Sequence, residues 1–462
     1  MNAVIDHTRL HRTAKYFMDS GQAQTVEAAL DVLRGFGLSI HAGAELADSE
    51  THQIALLTLV NLARRTFLGG VEVDGVSDIP LLVPLVQGGT LSEAVQRLGG
   101  SVVAHADASR PAALIGTCVA GRHPAGWQLT WSGWRGGVIP AREQRRLSED
   151  AGNLLAPAVA AAVCAAELFT WHAREHAMAG RRCAGLSLWH PGADWLADDP
   201  TELALAYLPS RLWLIGLGNL GQAFAWLLAC LPYGDRGQVE LVLQDFDRIA
   251  ESNDSTSLLS SIEAVGRKKT REVGAWLEAA GFQTAFEERR FGEWTRRARH
   301  EPGVALCGVD NALARAALGK AGFDLIIEAG LGAGPGGFRN FSMHTFPAAR
   351  SPEEIWSREH AAKTEDLSAL PAYVALREEG LDACGLAQLA SRTVGVPFVG
   401  LIATALALSE PLRRLHGGAG LELASGSVAA LGDLETVPVE ASPYGWGHTP
   451  ARPAKTSGLP KC

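Results

Sequence analysis

The sequence predicts an α/β protein, with a doubly wound, Rossmann-like domain preceded by a degenerate, non-catalytic α/β half. Past residue 205, apolar runs of strand length alternate with stretches of helix length, as in parallel sheets built from β-α-β units. The first of these runs, RLWLI at 211–215, leads directly into Gly216, Gly218 and Gly221. Length is the third observation, because 462 residues are too many for one compact core and suit two domains.

The first half, residues 1–204, is expected to be a mixed α/β block without a phosphate loop. Turn residues and acids near 195–208 mark its boundary. Because it has helices and strands but no glycine loop, we expect a non-catalytic partner that packs against the second half. Its predicted helices lie at 25–37, 48–67, 91–99 and 150–178, and its predicted strands at 69–75, 79–85, 101–106, 112–120, 127–133 and 136–141.

The second half, residues 205–416, alternates strands and helices more regularly. Charged, proline-containing sequence at 345–383 interrupts the alternation and is expected to cross over the site. Residues 417–462 are expected to form a C-terminal extension that is partly flexible. Strands are predicted at 211–216, 238–247, 284–291, 303–310 and 324–332, and helices at 222–231, 268–281, 313–322 and 396–410.

Composition argues against several classes of function. The net charge is −9, whereas binding to a nucleic-acid backbone needs clustered Lys and Arg, so no nucleic acid is expected. The seven cysteines are scattered without a C-x-x-C pair, so neither a disulfide framework nor a cysteine zinc site is predicted. His172 and His176 share a helix face, but no third metal ligand accompanies them.

No signal-peptide pattern occurs near the N-terminus, so we expect a cytoplasmic protein that does not contact a membrane. Two apolar stretches, 154–169 and 394–409, are short for a bilayer, and each contains a proline. We therefore predict that both are buried core helices.

The glycine loop predicts a phosphate-binding site, because a glycine-rich turn between a strand and a helix lets backbone N–H groups approach a phosphate. Alone it does not distinguish a dinucleotide used for hydride transfer from a nucleotide that is consumed. Asp245, at the end of the next strand, fits the ribose-binding acid of either kind of site.

The motifs after the loop favour a nucleotide that is consumed. They are Asp245 and Asp247 in QDFD, Asn253 after a serine, Lys269 three residues after a glycine, and Asp310-Asn311 at the end of a later strand. This pattern resembles the adenylation domain of the ThiF, MoeB and ubiquitin-activating-enzyme superfamily. The spacing matches too, since Asn253 and Lys269 follow Asp245 by 8 and 24 positions.

The resemblance implies ATP and Mg²⁺ as cofactors. Asp245 would hold the ribose, Asn253 and Lys269 the phosphates, and Asp310 the magnesium ion. Glu328 to Arg339 would lie beside an incoming peptide tail. The expected nucleotide-binding set is Gly216, Gly218, Asn219, Gly221, Asp245, Asp247, Asn253, Lys269 and Asn311, and Lys269 and Asp310 are also expected to be catalytic.

The chemistry explains these residue types. A carboxylate that attacks the α-phosphate of ATP meets concentrated negative charge, so catalysis consists of positioning and charge neutralisation. Structural alternatives remain at this stage: Lys269 could be a solvated helix residue, and Asp310 could cap the helix that begins at Asn311. Asp245 could also be the ribose acid of a dehydrogenase.

One position departs from the family pattern. The family has a phosphate-contacting arginine three residues after the Ser-Asn pair, where this chain has Thr256. Either another arginine, from the first half or from the second subunit of a homodimer, replaces it, or the phosphate chemistry is impaired. The sequence alone does not rank Arg145, Arg146 and Arg267 as candidates.

Cys384 is the predicted thioester-forming nucleophile. It follows the crossing segment and opens a predicted helix, where the helix dipole favours a thiolate. Its place also resembles that of the family's catalytic cysteine. The alternative is an ordinary buried cysteine. The other cysteines are predicted in apolar helices (164 and 230), in strands (118 and 307), on the linker (183) and on the tail (462).

The two-half architecture resembles the activating enzymes of Bil-type ubiquitin-like conjugation systems in antiphage defence. The implied function is adenylation of the C-terminus of a ubiquitin-like protein, then thioester formation and transfer to a conjugating enzyme. Three alternatives stay open: adenylation of a sulfur carrier or peptide without a thioester, an NAD-dependent oxidoreductase, and a nucleotide-dependent scaffold without catalysis.

Overall fold

The structure, a computed structural model, describes residues 9–118, 121–356, 367–391, 393–440 and 443–453. It contains one large mixed sheet in each half of the chain, with helices from both halves packed together. The α/β, Rossmann-like fold class predicted from the sequence is therefore confirmed.

The first sheet has seven strands in the order β3-β2-β1-β4-β5-β6-β7. Strands β1 to β5 pair in parallel, and β5-β6 and β6-β7 pair antiparallel. Its strands are β1 (Leu38–Ala42), β2 (Val71–Asp74), β3 (Ser101–Val102), β4 (Ala112–Ile115), β5 (Gly126–Ser132), β6 (Arg135–Pro140) and β7 (Ala184–Ser187), and its helices are α1 (Ala14–Asp19), α2 (Val26–Arg34), α3 (Glu50–Thr66), α4 (Leu91–Arg97) and α5 (Leu155–His172).

The second sheet has eight strands in the order β11-β10-β9-β12-β13-β14-β15-β16, and a two-stranded sheet pairs β17 with β8. The strands are β8 (Tyr207–Pro209), β9 (Arg211–Ile215), β10 (Glu240–Gln244), β11 (Gln283–Glu287), β12 (Val304–Cys307), β13 (Leu325–Leu331), β14 (Asn340–Phe346), β15 (Gly420–Ser427), β16 (Glu435–Val439) and β17 (His448–Pro450). The helices are α6 (Asn219–Cys230), α7 (Lys269–Ala279), α8 (Ala312–Ala316), α9 (Gly334–Gly337), α10 (Pro352–Ile355), α11 (Pro371–Glu378), α12 (Ala383–Ser391) and α13 (Pro397–Leu415).

The two sheets have the same topology. In each, five parallel strands are ordered third, second, first, fourth, fifth, and antiparallel strands follow on the side of the fifth. The strand order reverses between the first and fourth strands, which is where open α/β sheets bind ligands, beyond the carboxyl ends of the strands. Each half therefore contains a crevice of the type that can hold a nucleotide.

Helices from both halves form one continuous core. Helix α5 packs against α3, α6 and α13, and all four are lined with buried apolar side chains. Leu155–His172 is, among the described residues, the one helix long and apolar enough to cross a membrane, and 89% of that window is buried in the protein. This burial confirms the prediction of core helices, because α5 and α13 both lie inside the folded core.

Three sequence predictions need correction. Residues 184–187, predicted in a linker, form the edge strand β7 because they pair with β6. Cys118, predicted in a strand, lies three residues beyond the end of β4 in a loop. Residues 79–85, predicted as a strand, are not in a named strand and make an isolated bridge between Pro80 and Thr90. In the C-terminal extension, predicted to be partly flexible, 448–450 pair with β8, and residues 454–462 lie outside the described part of the chain.

Candidate functional site

The glycine loop joins β9 to α6 as predicted. Gly216 has φ +83°, a conformation that favours glycine, and a Cβ on Gly221 would lie 1.9 Å from the Gly216 carbonyl oxygen. A Cβ on Gly218 would meet nothing within 4 Å, so open space adjoins this residue. The N-terminus of α6 points backbone N–H groups towards this space, as a phosphate requires.

Asn219 opens α6 and connects the loop to α13. Its Nδ2 donates to the Val396 carbonyl over 3.3 Å. A Cβ on Gly400 would lie 2.3 Å from Asn219 Oδ1, so only glycine allows this close approach. Asn219 Oδ1 is buried without a hydrogen-bond donor among the described residues. The position of Asn219 thus depends on α13, far along the chain.

Asp245 fastens the glycine loop to the end of β10. It is buried, and its two carboxylate oxygens accept hydrogen bonds from the backbone N–H groups of Leu217 (2.7 Å) and Asp247 (2.8 Å). These bonds fix the carboxylate beside the loop, where it can still offer its remaining lone pairs to a ligand hydroxyl.

Lys269 and Asp247 form an ion pair at the edge of the same crevice. Lys269 Nζ lies 3.1 Å from Asp247 Oδ2, and the Lys269 side chain is 10% exposed whereas that of Asp247 is 47% exposed. The Lys269 backbone N–H also donates to the Asp247 carbonyl. The solvated-helix alternative for Lys269 is therefore wrong, because the lysine is buried and directed at the D-x-D segment.

Asn253, Asn311 and Asp310 lie on three further loops. Asn253 Oδ1 accepts from the Ala250 N–H (2.9 Å), and Asn311 Oδ1 caps α8 by accepting from the Ala314 N–H (3.0 Å). Asn311 is thus the helix cap, a role that the sequence left open for Asp310. Asp310 is exposed, and its carboxylate forms no hydrogen bond or ion pair with any described residue.

A buried ion-pair cluster behind Asp310 was not anticipated from the sequence. Arg315, on α8, donates from Nε to the Val309 carbonyl (2.8 Å) and pairs with the fully buried Glu328 (3.1 Å). His344 lies 3.0 Å from the other Glu328 oxygen. The sequence feature that could have revealed this cluster is the glutamate inside the apolar strand LIIEAGL, because buried carboxylates are nearly always paired. This cluster holds the loop that carries Asp310.

Arg12, in the first half, occupies the region where the family arginine is missing. A Cβ on Gly395 would lie 3.0 Å from Thr256 Cγ2 and 3.5 Å from Arg12 Cβ, so both side chains flank Gly395. The Arg12 backbone N–H donates to Ser255 Oγ (3.1 Å) and its guanidinium donates to Thr393 (3.3 Å). Sequence analysis missed it because 244 positions separate Arg12 from Thr256.

Helix α3 of the first half holds the segment that follows Asn253. Arg64 forms two hydrogen bonds with the Asp254 carboxylate (2.7 and 2.8 Å), and Arg65 donates to the carbonyls of Asp254, Leu258 and Ser260. Burial raises the pKa of Asp254, but the two arginines outweigh this effect and hold the pKa below its ordinary value. This buried contact joins the two halves beside the site.

Helix α1 is also bound to the segment before Cys384. Lys15 is fully buried, and its Nζ lies within 2.7 Å of both Asp19 oxygens and of the Tyr373 hydroxyl on α11. The Tyr373 hydroxyl in turn donates to Asp19 (2.6 Å). Burial lowers the pKa of Lys15, and Asp19 opposes this shift. The triad ties the cysteine-bearing segment to the first half.

Cys384 is the second residue of α12 and is the one exposed cysteine among the six that the structure describes. Burial raises the pKa of the Cys118 thiol to about 11 and that of Cys307 to about 12, and it also raises those of Cys164, Cys183 and Cys230. Cys462 lies outside the described residues. The buried-cysteine alternative is therefore wrong for Cys384, although no hydrogen bond joins it to a predicted nucleotide residue in the described part of the chain.

A carboxylate lies at the corresponding edge of the first sheet. Glu45, three residues after the end of β1, accepts from the Thr117 N–H (2.8 Å) and from the Thr117 hydroxyl, and it pairs with Arg146 (3.2 Å). Burial raises the pKa of Glu45, but these donors outweigh it and lower the pKa to about 2. An internal anion thus joins the loops that follow the first and fourth strands of this sheet.

Comparison with known proteins places the chain in a family. The profile of the BilD N-terminal domain matches residues 37–188, and that of the BilD C-terminal domain matches residues 208–418. A curated relative, the bacterial E1-like protein BilD of Collimonas sp. (strain OK412), is 58% identical over 454 residues, which is 98% of each chain.

Solved structures show more distant similarity. E. coli MccB is 13% identical, with a TM-score of 0.35, over 51% of this chain and 63% of that chain. PaaA is 12% identical, with a TM-score of 0.31, over 50% of this chain and 64% of that chain. The full-length identity and the two domain matches together show that this chain belongs to the BilD family of bacterial E1-like proteins.

Proposed function

We propose that this protein uses ATP and Mg²⁺ to adenylate the C-terminal carboxylate of a ubiquitin-like protein, and then holds that protein as a thioester on Cys384. The observation that carries the proposal is the crevice beyond β9, β10 and β12. There the open glycine loop, the pinned Asp245, the buried Lys269 and the unpaired Asp310 carboxylate adjoin one sheet edge. Transfer to a conjugating enzyme in antiphage defence would follow.

Each residue of the crevice would have a separate role in the first step, the adenylation. The tail carboxylate would attack the α-phosphorus, and pyrophosphate would leave as the bond between the α-phosphorus and the bridging oxygen breaks. Lys269 and the loop N–H groups would hold the phosphates, and Asp245 the ribose. Bound magnesium, held by Asp310, would neutralise phosphate charge; a carboxylate facing phosphates without a cation would repel them.

Arg12 would supply the charge that Thr256 lacks. It lies next to Thr256 across Gly395 and is fixed by its backbone bond to Ser255. Since Arg12 belongs to the same chain, this position needs no second subunit, and the expectation of a homodimer remains a separate hypothesis. In this view residues 1–204 are a non-catalytic partner half, residues 205–416 the adenylating half and 417–462 an extension.

Cys384 would perform the second step. Its thiolate would attack the acyl carbon of the adenylate, a thioester would form and AMP would leave. Cys384 is exposed at the start of α12, where the helix dipole stabilises a thiolate. An adenylating enzyme without thioester transfer, acting on a sulfur carrier or a peptide, remains the second candidate because, among the described residues, Cys384 forms no hydrogen bond with a predicted nucleotide residue.

The test combines ATP–pyrophosphate exchange with detection of the thioester. Wild-type protein is expected to exchange pyrophosphate only when a ubiquitin-like protein with an intact C-terminus is added, and to form a conjugate that dithiothreitol cleaves. Cys384→Ala should keep the exchange and lose the conjugate, because adenylation needs no protein nucleophile. Cys183→Ala, a half-buried cysteine of the first half, is the matched control and should keep both.

Three results would change the assignment. Exchange without any conjugate in the wild type would favour the second candidate. A conjugate that persists in Cys384→Ala would place the thioester on another cysteine. Tight NAD binding without an ATP-induced rise in melting temperature would contradict adenylation altogether.

A further inference from the structure

The two sheets differ in what covers their outer face, away from the shared core. In the second half, α8 and the turn after it lie between β12 and β13, and Ala314 and Leu318 pack on Ala305 and Ile326. In the first half, β4 runs to β5 through residues 116–125, whose described part contains no helix. A cavity of about 850 Å³ lies there against the same face. We call it the first-half cavity.

The floor of the first-half cavity is the sheet itself. Ala112, Leu114 and Gln128 belong to adjacent parallel strands and line it. Ala112 and Leu114 are 0% and 5% exposed, yet they belong to neither hydrophobic cluster of the core. The cavity thus has an apolar floor with one amide, in the place where the other half has a helix.

The rim of the first-half cavity is cationic. Arg122, Arg142, Arg146 and Arg181 line it together with His123, and no Asp or Glu is among the lining residues described. Within the described ranges, Arg146 is the one lining arginine that forms ion pairs with acids, Glu45 and Glu149, and Arg142 donates to a backbone carbonyl. In a chain with a net charge of −9, clustered cations without acids create a positive potential that attracts anions.

His123 connects the rim of the cavity to the first strand. Its Nδ1 lies 2.8 Å from the Arg110 carbonyl oxygen, and its Nε2 lies 2.9 Å from His41 Nε2. His41 Nδ1 in turn lies 3.0 Å from the Asp74 carboxylate. These contacts fix the position of the imidazole ring at the rim.

Backbone strain marks the same cavity. Gln144, which lines it, has φ +50°, a left-handed conformation that is uncommon outside glycine. Strained residues of this kind cluster at ligand sites, where the surrounding structure fixes them. Gln144 lies between Arg142 and Arg146, so the strained turn sets where both guanidinium groups stand.

We propose that the first-half cavity binds a small polyanion that carries two or more phosphate or carboxylate groups. Guanidinium groups match both oxyanions with paired hydrogen bonds, and the apolar floor can accept an uncharged part of the molecule. A cavity of this volume lies within the range of about 300–1,000 Å³ that is usual for small-molecule sites. The inference does not depend on the proposed adenylation.

The experiment uses the full chain with Lys269→Ala, which removes a phosphate contact from the second-half crevice. Isothermal calorimetry at fixed ionic strength measures binding of pyrophosphate, citrate and AMP. Comparing the three shows whether the cavity prefers a phosphate, a carboxylate or a nucleotide ligand. Binding of at least one is expected, and Arg122→Glu/Arg181→Glu should weaken it about tenfold or more, the scale of lost charge-assisted hydrogen bonds. Arg296→Glu/Arg299→Glu, equal in charge but on the second half, should bind like the parent.

Circular dichroism melting checks that both double variants fold, since all four arginines lie at the surface or half-exposed. Equal weakening in the two double variants would overturn the inference, because it would reflect net charge alone. Binding of none of the three anions by the parent would overturn it as well. If the parent binds a poly-glutamate peptide but none of the three small anions, the proposal that the ligand is a small molecule is wrong.

Discussion

In the second half, Gly218 adjoins open space, whereas in the first half the Glu45 carboxylate, which follows the first strand, accepts from Thr117 after the fourth strand and pairs with Arg146. The sheets that carry these two crevices have the same strand order. The same topology thus carries an open glycine loop after its first strand in one half and an acidic residue that binds its own chain in the other. If the open loop is the nucleotide site, changes in the second half should impair adenylation and matched changes in the first half should not.

Separating the halves should have the largest effect. A fragment of residues 205–462 is expected to lose adenylation completely and to be poorly soluble, because Arg12, Arg65 and Lys15 would no longer hold the site segments and the shared core would be exposed. Expression followed by pyrophosphate exchange measures this. A soluble, fully active fragment would show that the first half is dispensable. Residues 1–200 alone should show no ATP-induced thermal shift.

Equivalent substitutions in the two crevices should differ sharply. Lys269→Ala and Asp310→Ala are each expected to lower pyrophosphate exchange by about 100-fold or more, the scale of one preorganised electrostatic group. Thr117→Ala, in the loop after β4 of the first half, should leave exchange unchanged because its hydroxyl serves only Glu45 and Arg146. A comparable loss in Thr117→Ala would mean that the first-half crevice takes part in catalysis.

Replacing Arg12 should lower the rate of pyrophosphate exchange less than replacing Lys269 does. Arg12→Ala is expected to lower the exchange rate about tenfold to 100-fold, as for a lost hydrogen bond to a charged group. Arg9→Ala, which removes an exposed ion pair with Glu251, is the neighbouring control and should change little. If both variants behave alike, another residue supplies the charge missing at Thr256.

The Glu45 carboxylate should affect the free energy of unfolding and not the rate of adenylation. The Glu45 pKa is lowered from 4.5 to about 2, so its ionised form stabilises the fold fully above pH 4.5, and this contribution is lost as the pH falls towards 2. Glu45→Gln should therefore unfold at lower denaturant than the wild type at pH 7, and the difference should shrink with acidification. A difference that is constant from pH 7 to pH 3 would contradict the ion-pair origin.

Features that depend on a few neighbouring residues could be predicted from the sequence. The glycine loop could be located because Gly216 and Gly221 meet backbone constraints that only glycine satisfies. Sequence reasoning erred at 184–187, where turn residues next to the strand hid an edge strand. It left Asp310 undecided, because a helix cap and a free carboxylate look alike until Asn311 is seen to make the cap.

The α/β class and the glycine loop between β9 and α6 follow from the amino-acid sequence alone, because strand period and glycine position are short-range properties of the chain. Long-range folding places Arg12 beside Thr256 and joins Lys15 to Tyr373 across 358 positions, and no local pattern predicts either contact. These are contacts between residues far apart in sequence, and they form because the burial of α3, α5, α6 and α13 in one core brings the two halves together.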